Sequence, residues 1–198
     1  DDLQLRFQRM KGILTDPEKL QYFLKSNKKE LIYWGGLVIS IIVIFFLFSD
    51  GDFSFFLTLS GLIQMFGFFL IALRVQNTQS VAGLSLNTQI CYGVAFFARF
   101  VSVIKHEGYL PYDSSGDVIY RIVEFLALLL AGYVIFMAAI KYKATYTWDL
   151  DRVNCLILVG PALALACLIH PNLNNSYFAD IAWTFSLYLE SVAMFPQL

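Results

Sequence analysis

Apolar residues in this chain are gathered into six long runs that short polar segments separate. Runs of this length with few charged residues are typical of membrane-spanning helices, which need about 20 residues at a rise of 1.5 Å per residue. Tyr33 and Trp34 open the first run, at a position where interfacial aromatic residues are expected. The pattern predicts an all-α, polytopic membrane helix bundle with spans at residues 31–48, 53–73, 88–104, 118–140, 153–170 and 178–198.

Basic residues lie almost entirely on one side of these predicted spans. Residues 1–30, 74–87 and 141–152 carry seven, one and three Lys or Arg, whereas the opposite loops carry only Lys105. Because basic loops stay in the cytosol, we expect both ends of this chain to be cytosolic. Residues 1–30 are expected to form a basic, amphipathic arm on the membrane surface, or a solvated extension without function.

The composition excludes several classes of protein. Hydrophobic residues make up 58% of the chain and charged residues 15%, which does not suit a soluble domain. The net charge of -1 gives no support for nucleic-acid binding. Cys91, Cys155 and Cys167 lack paired spacing and are interpreted as packing residues. Since no nucleophile-base pair, metal cluster or phosphate loop is found, we expect no enzyme activity, cofactor or metal.

The last run carries polar residues on one face. Asp180, Trp183 and Glu190 recur in steps of three and four, with Leu187, Met194 and Gln197 continuing the face. An ionisable group facing lipid is costly, so this face is predicted to point into a cavity. Alternatively, Asp180 is an acid favoured by the dipole of the first helical turn, and Glu190 is a hydrogen-bonding group of the bundle.

Other predicted spans also contain polar side chains. Gln64 lies in the second span and Arg99 near the middle of the third. Arg121 and Glu124 are three residues apart in the fourth, where they could pair on one helix face. Arg99 is interpreted either as a ligand contact or as a structural arginine that pairs with Glu124, Asp180 or Glu190.

Four stretches resemble the KDEL receptor family, the receptors that retain proteins in the endoplasmic reticulum lumen. They are SVAGLS at residues 80–85, ARF at 98–100, KATY at 143–146 and WTFSLYLESVA at 183–193, which runs into PQL at 196–198. The resemblance implies a PQ-loop or SWEET-like fold of two three-helix bundles and a linker helix. Residues 53–198 would hold the first five of seven family spans, residues 31–48 an extra helix, and this chain a piece of a longer protein.

The resemblance also implies a ligand and its contacts. The ligand would be the carboxy-terminal tetrapeptide of an escaped lumenal protein, bound in a lumen-facing cavity in the Golgi and released in the endoplasmic reticulum. Arg99 would hold the peptide carboxylate, Asp180 would meet the basic residue that opens the tetrapeptide, and Trp183 would lie beside it. Coat proteins would bind cytosolic parts, and the lipid bilayer would surround the helices.

Two positions depart from the family pattern. Leu57 stands where the family has an arginine, and Gln64 where it has a histidine that senses pH. Because Gln64 cannot titrate, we expect peptide binding either to be nearly independent of pH or to follow a proton on Glu190, with Asp180 near lumenal water and ionised. Glu124 and Gln64 join Glu190 as candidates for a proton-linked or structural role. A small-molecule carrier with hinges at its prolines, or a paralogue that no longer binds the retention signal, is the alternative function.

Overall fold

The computed structural model describes residues 17–48, 54–106, 117–148, 151 and 153–197. These residues form helices and connecting turns, without strands in the described ranges, so the all-α prediction is confirmed. The chain divides into two compact units, Asp1–Leu47 and Phe48–Leu198.

The described residues of the first unit form two helices, α1 (Pro17–Ser26) and α2 (Lys28–Phe48). Pro17 suits the first position of α1, since an N–H there would have no helical partner. Most side chains of α2 are exposed, including Ile39 and Phe46. A helix that is apolar on all sides is stable when lipid or protein covers it, so α2 has the character of a membrane span. Of the predicted arm at residues 1–30, residues 1–16 lie outside the described residues.

The described residues of the second unit form five longer helices and three short helical turns. Ser85 and Asn154 start α4 and α6, because their side-chain oxygens accept N–H groups of the first turn, from Thr88 and Leu156. The helices are α3 (Ser54–Thr78), α4 (Leu86–Val103), α5 (Asp117–Phe136), α6 (Cys155–Leu168) and α7 (Tyr177–Val192). A π-helical turn, Met137–Lys141, follows α5, and 3-10 turns lie at Lys143–Thr145 and Phe195–Gln197.

Helix α4 lies at the centre of the second unit, because it packs against α5 on one side and against α7 on the other. The first side forms an aromatic cluster with α3 and α5, which contains Phe68, Phe96, Ala127 and Ala131. The second side is a core of small and medium side chains shared with α6 and α7: Cys91, Ala95, Cys155, Ala162, Ala166, Phe185, Leu189 and Ala193. The small residues allow the backbones of α4, α6 and α7 to approach closely.

The last helix is shorter than its sequence pattern predicts. We expected one helix over residues 178–198, but α7 ends at Val192 and the chain turns before Phe195–Gln197. Pro196 has no N–H to donate to the carbonyl of Val192, so the helical hydrogen-bond ladder cannot continue through it. The predicted polar face therefore ends on α7, and Gln197 leaves it.

In the part of the chain that the structure describes, three helical segments are long and apolar enough to cross a membrane alone: Lys28–Leu47, Phe56–Thr78 and Asp117–Lys141. Helices α4, α6 and α7 coincide with the other predicted spans, but they are shorter or more polar. These three helices pack against one another, so they rely less on lipid-facing apolar length. Six spans remain a prediction.

Candidate functional site

Arg99 is the centre of a buried polar network formed by four helices. Its Nη1 lies 3.2 Å from Oε1 of Glu124 on α5 and 3.5 Å from Oε1 of Gln64 on α3. From α7, Glu190 pairs with Nη2, and the hydroxyl of Ser186 lies 3.4 Å from Nε. Helix α4 can bring Arg99 to all these partners because it lies between α5 and α7.

The network contains more negative than positive groups when its side chains are ionised. Arg99 supplies one positive charge, whereas Glu124 and Glu190 supply two carboxylates. The side chains of Arg99 and Glu124 are 6% and 1% exposed, and that of Glu190 is 15% exposed. Within the described residues, Oε2 of Glu124 and Oε1 of Glu190 have no hydrogen-bond partner. The network can therefore accept a further hydrogen-bond donor.

Gly61 allows α3 to approach this network. A Cβ atom at position 61 would lie 3.2 Å from Oε1 of Glu124 and 3.3 Å from a methyl carbon of Val123. These distances are tighter than ordinary van der Waals contacts, so a Cβ at position 61 would require the Glu124 and Val123 side chains to move by a few tenths of an ångström. A small residue at this position follows from the close approach of the two helices.

Asp180 and Trp183 lie nearer the amino-terminal end of α7. Asp180 is 1% exposed, and its carboxylate accepts the backbone N–H of Leu173 at 3.3 Å. Trp183 packs on a small apolar cluster that includes Leu57, Val103 and Tyr120. The Ser102 hydroxyl donates to the carbonyl of Ala179 at 2.7 Å, which holds this end of α7 against α4. Leu57 and Trp183 therefore share one apolar surface.

These contacts bear on three sequence-based interpretations. Arg121 pairs with Asp117 at 2.7 Å, one helical turn away, whereas Glu124 faces Arg99, so the predicted Arg121–Glu124 pair is wrong. Asp180 is buried, contrary to its expected place near water. Of the proposed structural partners of Arg99, Glu124 and Glu190 are brought to it.

A second polar cluster, which the sequence reasoning missed, joins the loops at the predicted cytosolic end. We call Ser85, Asn87, Tyr146 and Asp151 the Asp151 cluster. The Asp151 carboxylate accepts the Ser85 hydroxyl at 2.8 Å, the backbone N–H of Asn87 at 2.9 Å and the Tyr146 hydroxyl. The sequence offered one signal for this cluster, the acidic Asp151. It lies in the 141–152 loop, of which only the basic residues entered the prediction of orientation.

Gln197 joins the same loops from the end of the described chain. Its Nε2 donates to the carbonyl of Gly83 at 2.9 Å, and its Oε1 accepts the N–H of Ser85 at 2.7 Å. Gly83 has a φ of +80°, a left-handed conformation that glycine adopts without strain. The amide of Gln197 thus binds the loop between α3 and α4 through two hydrogen bonds.

The Asp151 cluster shifts the pKa values of its two acids in opposite directions. Burial acts to raise the pKa of Asp151, but hydrogen bonds from Tyr146, Asn87 and Ser85 outweigh it, so the pKa is lowered. Burial and the hydrogen bond to Asp151 raise the pKa of Tyr146 to about 12. At neutral pH Tyr146 is therefore a donor and Asp151 a charged acceptor.

A cavity of about 290 Å³ lies between α3, α4 and the end of the chain. Gln64, which also contacts Arg99, lines one part of it, and Gln197 another. Further lining residues include Phe68, Gln89 and Tyr92. By the predicted orientation this cavity occupies the cytosolic half of the bundle. The lumen-facing ligand cavity therefore remains a prediction.

Comparison with known proteins relates the chain to a family. Residues 80–198 match the family described as ER lumen protein retaining receptor. The chain is 29% identical over 143 residues to the ER lumen protein-retaining receptor of Dictyostelium discoideum, covering 71% of this chain and 62% of the relative. It is 33% identical over 141 residues to ER lumen protein-retaining receptor 2 of Xenopus laevis, covering 71% and 61%. For receptor 2 of Homo sapiens it is 33% identical over 129 residues, covering 65% and 56%. The chain thus matches roughly three fifths of the length of these relatives.

Proposed function

Because this chain belongs to the family of ER lumen protein retaining receptors, we propose that it forms part of a receptor that binds carboxy-terminal retention signals. The receptor is a multi-pass protein of the endoplasmic reticulum and Golgi membranes, with its amino terminus in the cytosol. Its ligand is the terminal tetrapeptide of an escaped lumenal protein. The buried Arg99, surrounded by groups from four helices, is the observation that carries this proposal.

Arg99 receives the free carboxylate of the peptide. A guanidinium group offers several N–H donors in one plane and can bind a carboxylate through two parallel hydrogen bonds. Glu124 and Glu190 already occupy this group, so the incoming carboxylate must replace one of them. Glu190 is the one that leaves, because its side chain is 15% exposed whereas Glu124 is 1% exposed. Glu124 then remains to neutralise the arginine.

Asp180 and Trp183 receive the other end of the peptide. Asp180 precedes Glu190 by ten residues on α7, which is about 15 Å along a helix axis. A fully extended tetrapeptide spans about 13 to 14 Å, and the side chains at its ends supply the remaining reach to both positions. The Asp180 carboxylate now accepts the N–H of Leu173, and it must exchange this partner for the basic side chain of the ligand. Trp183 supplies apolar surface beside it.

Cytosolic surfaces of the receptor bind coat proteins that carry it back to the endoplasmic reticulum. The predicted cytosolic loops and the basic amino-terminal residues provide these surfaces. Lipid surrounds the exposed apolar side chains of α2 and of the longer helices of the second unit. These partners follow from family membership together with the predicted orientation.

Peptide binding to the full-length protein in lipid nanodiscs tests the proposal. A peptide ending in Lys-Asp-Glu-Leu or His-Asp-Glu-Leu should bind, and amidation of its terminal carboxylate should weaken binding by about 30-fold or more, since a lost charged contact costs at least about 2 kcal/mol. A peptide of the same composition in scrambled order, with a free carboxylate, is the control. Equal binding of the free and amidated peptides would refute carboxylate recognition.

A further inference from the structure

Two cysteine thiols from different helices lie in direct contact. Cys91 of α4 and Cys155, the first residue of α6, have their Sγ atoms 2.8 Å apart, and both residues are buried. Non-bonded carbon atoms have an optimal separation of about 3.5 to 4.0 Å, and sulfur is larger. The two sulfur atoms are therefore closer than a relaxed thiol pair and within a small movement of the roughly 2.05 Å bond of a disulfide.

Backbone and side-chain contacts hold the two cysteines in register. The side-chain oxygen of Asn87, one turn before Cys91, accepts the N–H of Cys155 at 3.1 Å. The N–H of Asn87 in turn donates to Asp151 at 2.9 Å. These hydrogen bonds fix the start of α6 against the start of α4. Cys167, further along α6, is exposed and offers an internal comparison.

We propose that Cys91 and Cys155 form a reversible disulfide, a modification site that joins α4 to α6. The oxidant is a peroxide such as hydrogen peroxide, which is small enough to reach a buried thiol. The sulfur of one cysteine attacks a peroxide oxygen, the O–O bond breaks, and a sulfenic acid and one water form. The sulfur of the second cysteine attacks the sulfenic sulfur, which forms the disulfide and releases a second water. Two electrons pass from the two thiols to the peroxide, and the two cysteine protons end in the two waters.

The bond would fix the base of the core that α4, α6 and α7 share. It would close a loop between residues 64 apart in the sequence, so it would restrict the unfolded chain strongly. In a reducing cytosol glutathione keeps such pairs as thiols, so the disulfide would form under oxidative conditions. This inference does not depend on the proposed receptor function.

Peptide mapping of the full-length protein in its native membranes tests the pair. Membranes are treated with hydrogen peroxide, the protein is denatured in the presence of an alkylating reagent that blocks free thiols, and it is digested without reductant for mass spectrometry. A linked peptide containing Cys91 and Cys155 should appear, alkylation of both should fall about ten-fold or more, and dithiothreitol should reverse the change. Cys167 should not appear in a linked peptide.

Two variants test whether the linked peptide requires the buried pair. Cys167→Ser should leave the linked peptide unchanged, whereas Cys155→Ser should abolish it. Alkylation of both Cys91 and Cys155 under conditions that oxidise the exposed Cys167 would overturn the proposal. A link from Cys91 to Cys167 would overturn it as well, because the buried contact between α4 and α6 would then not be the reactive one.

Discussion

Arg99 on α4 and Glu124 on α5 form an ion pair of 3.2 Å in which both side chains are almost completely buried. Glu190 on α7 approaches the same guanidinium from the other side. One arginine therefore links the two helix clusters of the second unit. We expect the pairing among these three residues to determine both the stability of the bundle and whether Arg99 can bind a ligand carboxylate.

Removing the arginine should destabilise the protein more than removing one carboxylate. Arg99→Leu leaves two buried carboxylates without their cation and should cost about 3 to 5 kcal/mol. Glu124→Gln keeps Arg99 paired with Glu190 and should cost roughly 1 to 3 kcal/mol. Thermal unfolding of the detergent-solubilised protein measures both, with the exposed Arg74→Leu as control. If Arg99→Leu unfolds at the same temperature as the parent protein, the network does not stabilise the bundle.

Substitutions at Arg99 should also separate charge from geometry in ligand binding. Arg99→Ala should abolish peptide binding, and Arg99→Lys should weaken it, because an ammonium group cannot bind a carboxylate in the same bidentate manner. Calorimetry with the free and amidated peptides measures the effect, and Arg74→Lys is the matched control. Parent-like binding by Arg99→Ala would assign the arginine a structural role alone.

The pH dependence of binding should be either nearly flat between about pH 5.5 and 7.5 or controlled by Glu190. Gln64 carries no titratable group, whereas a proton on Glu190 would release Arg99 from one carboxylate and favour binding in acid. Glu124 and Arg99 are the charged groups that face Glu190 across the network. Binding titrations of the parent and of Glu190→Gln distinguish the cases. An acid-favoured step that persists in Glu190→Gln would place the sensor elsewhere.

Asp151 should contribute stability that is lost in acid. Its pKa is lowered in the folded protein, so its contribution is complete above the unfolded-state value of about 3.9 and disappears as pH falls through the folded-state value. Asp151→Asn should therefore lower the unfolding temperature at neutral pH, and the difference from the parent should shrink below about pH 4. The exposed Glu30→Gln is the control. A difference that stays constant into acid would mean that the Asp151 charge is not involved.

The predicted orientation has a direct test in sealed microsomes. A tag inserted after Leu198 should be accessible to protease, and a tag inserted at Ser114 should be protected, because eleven basic residues lie on one side and one on the other. The reverse pattern would place the Arg99 network and the Asp151 cluster on the wrong sides for the proposed receptor.

The sequence by itself determined the helical class and the approximate positions of α2 to α7, except for the end of α7. Long apolar runs have few other stable structures, so their pattern is sufficient to locate helices. It also identified Arg99, Glu124 and Glu190 as notable, because ionisable residues inside apolar runs are rare. The family motifs could also be recognised from the sequence, because each is a short contiguous stretch.

Tertiary structure alone decided which of these residues meet. Whether Arg121 or Arg99 faces Glu124 depends on the relative rotation of α4 and α5, which packing sets and local spacing does not. Asp151 and Gln197 form hydrogen bonds with loops that are far away in the sequence. Cys91 of α4 contacts Cys155 at the start of α6. Helix α7 ends before Pro196 because proline has no N–H to donate, and the apolar pattern does not indicate this end. Side-chain type determines which contacts are favourable, but the packing of helices determines which of them can form.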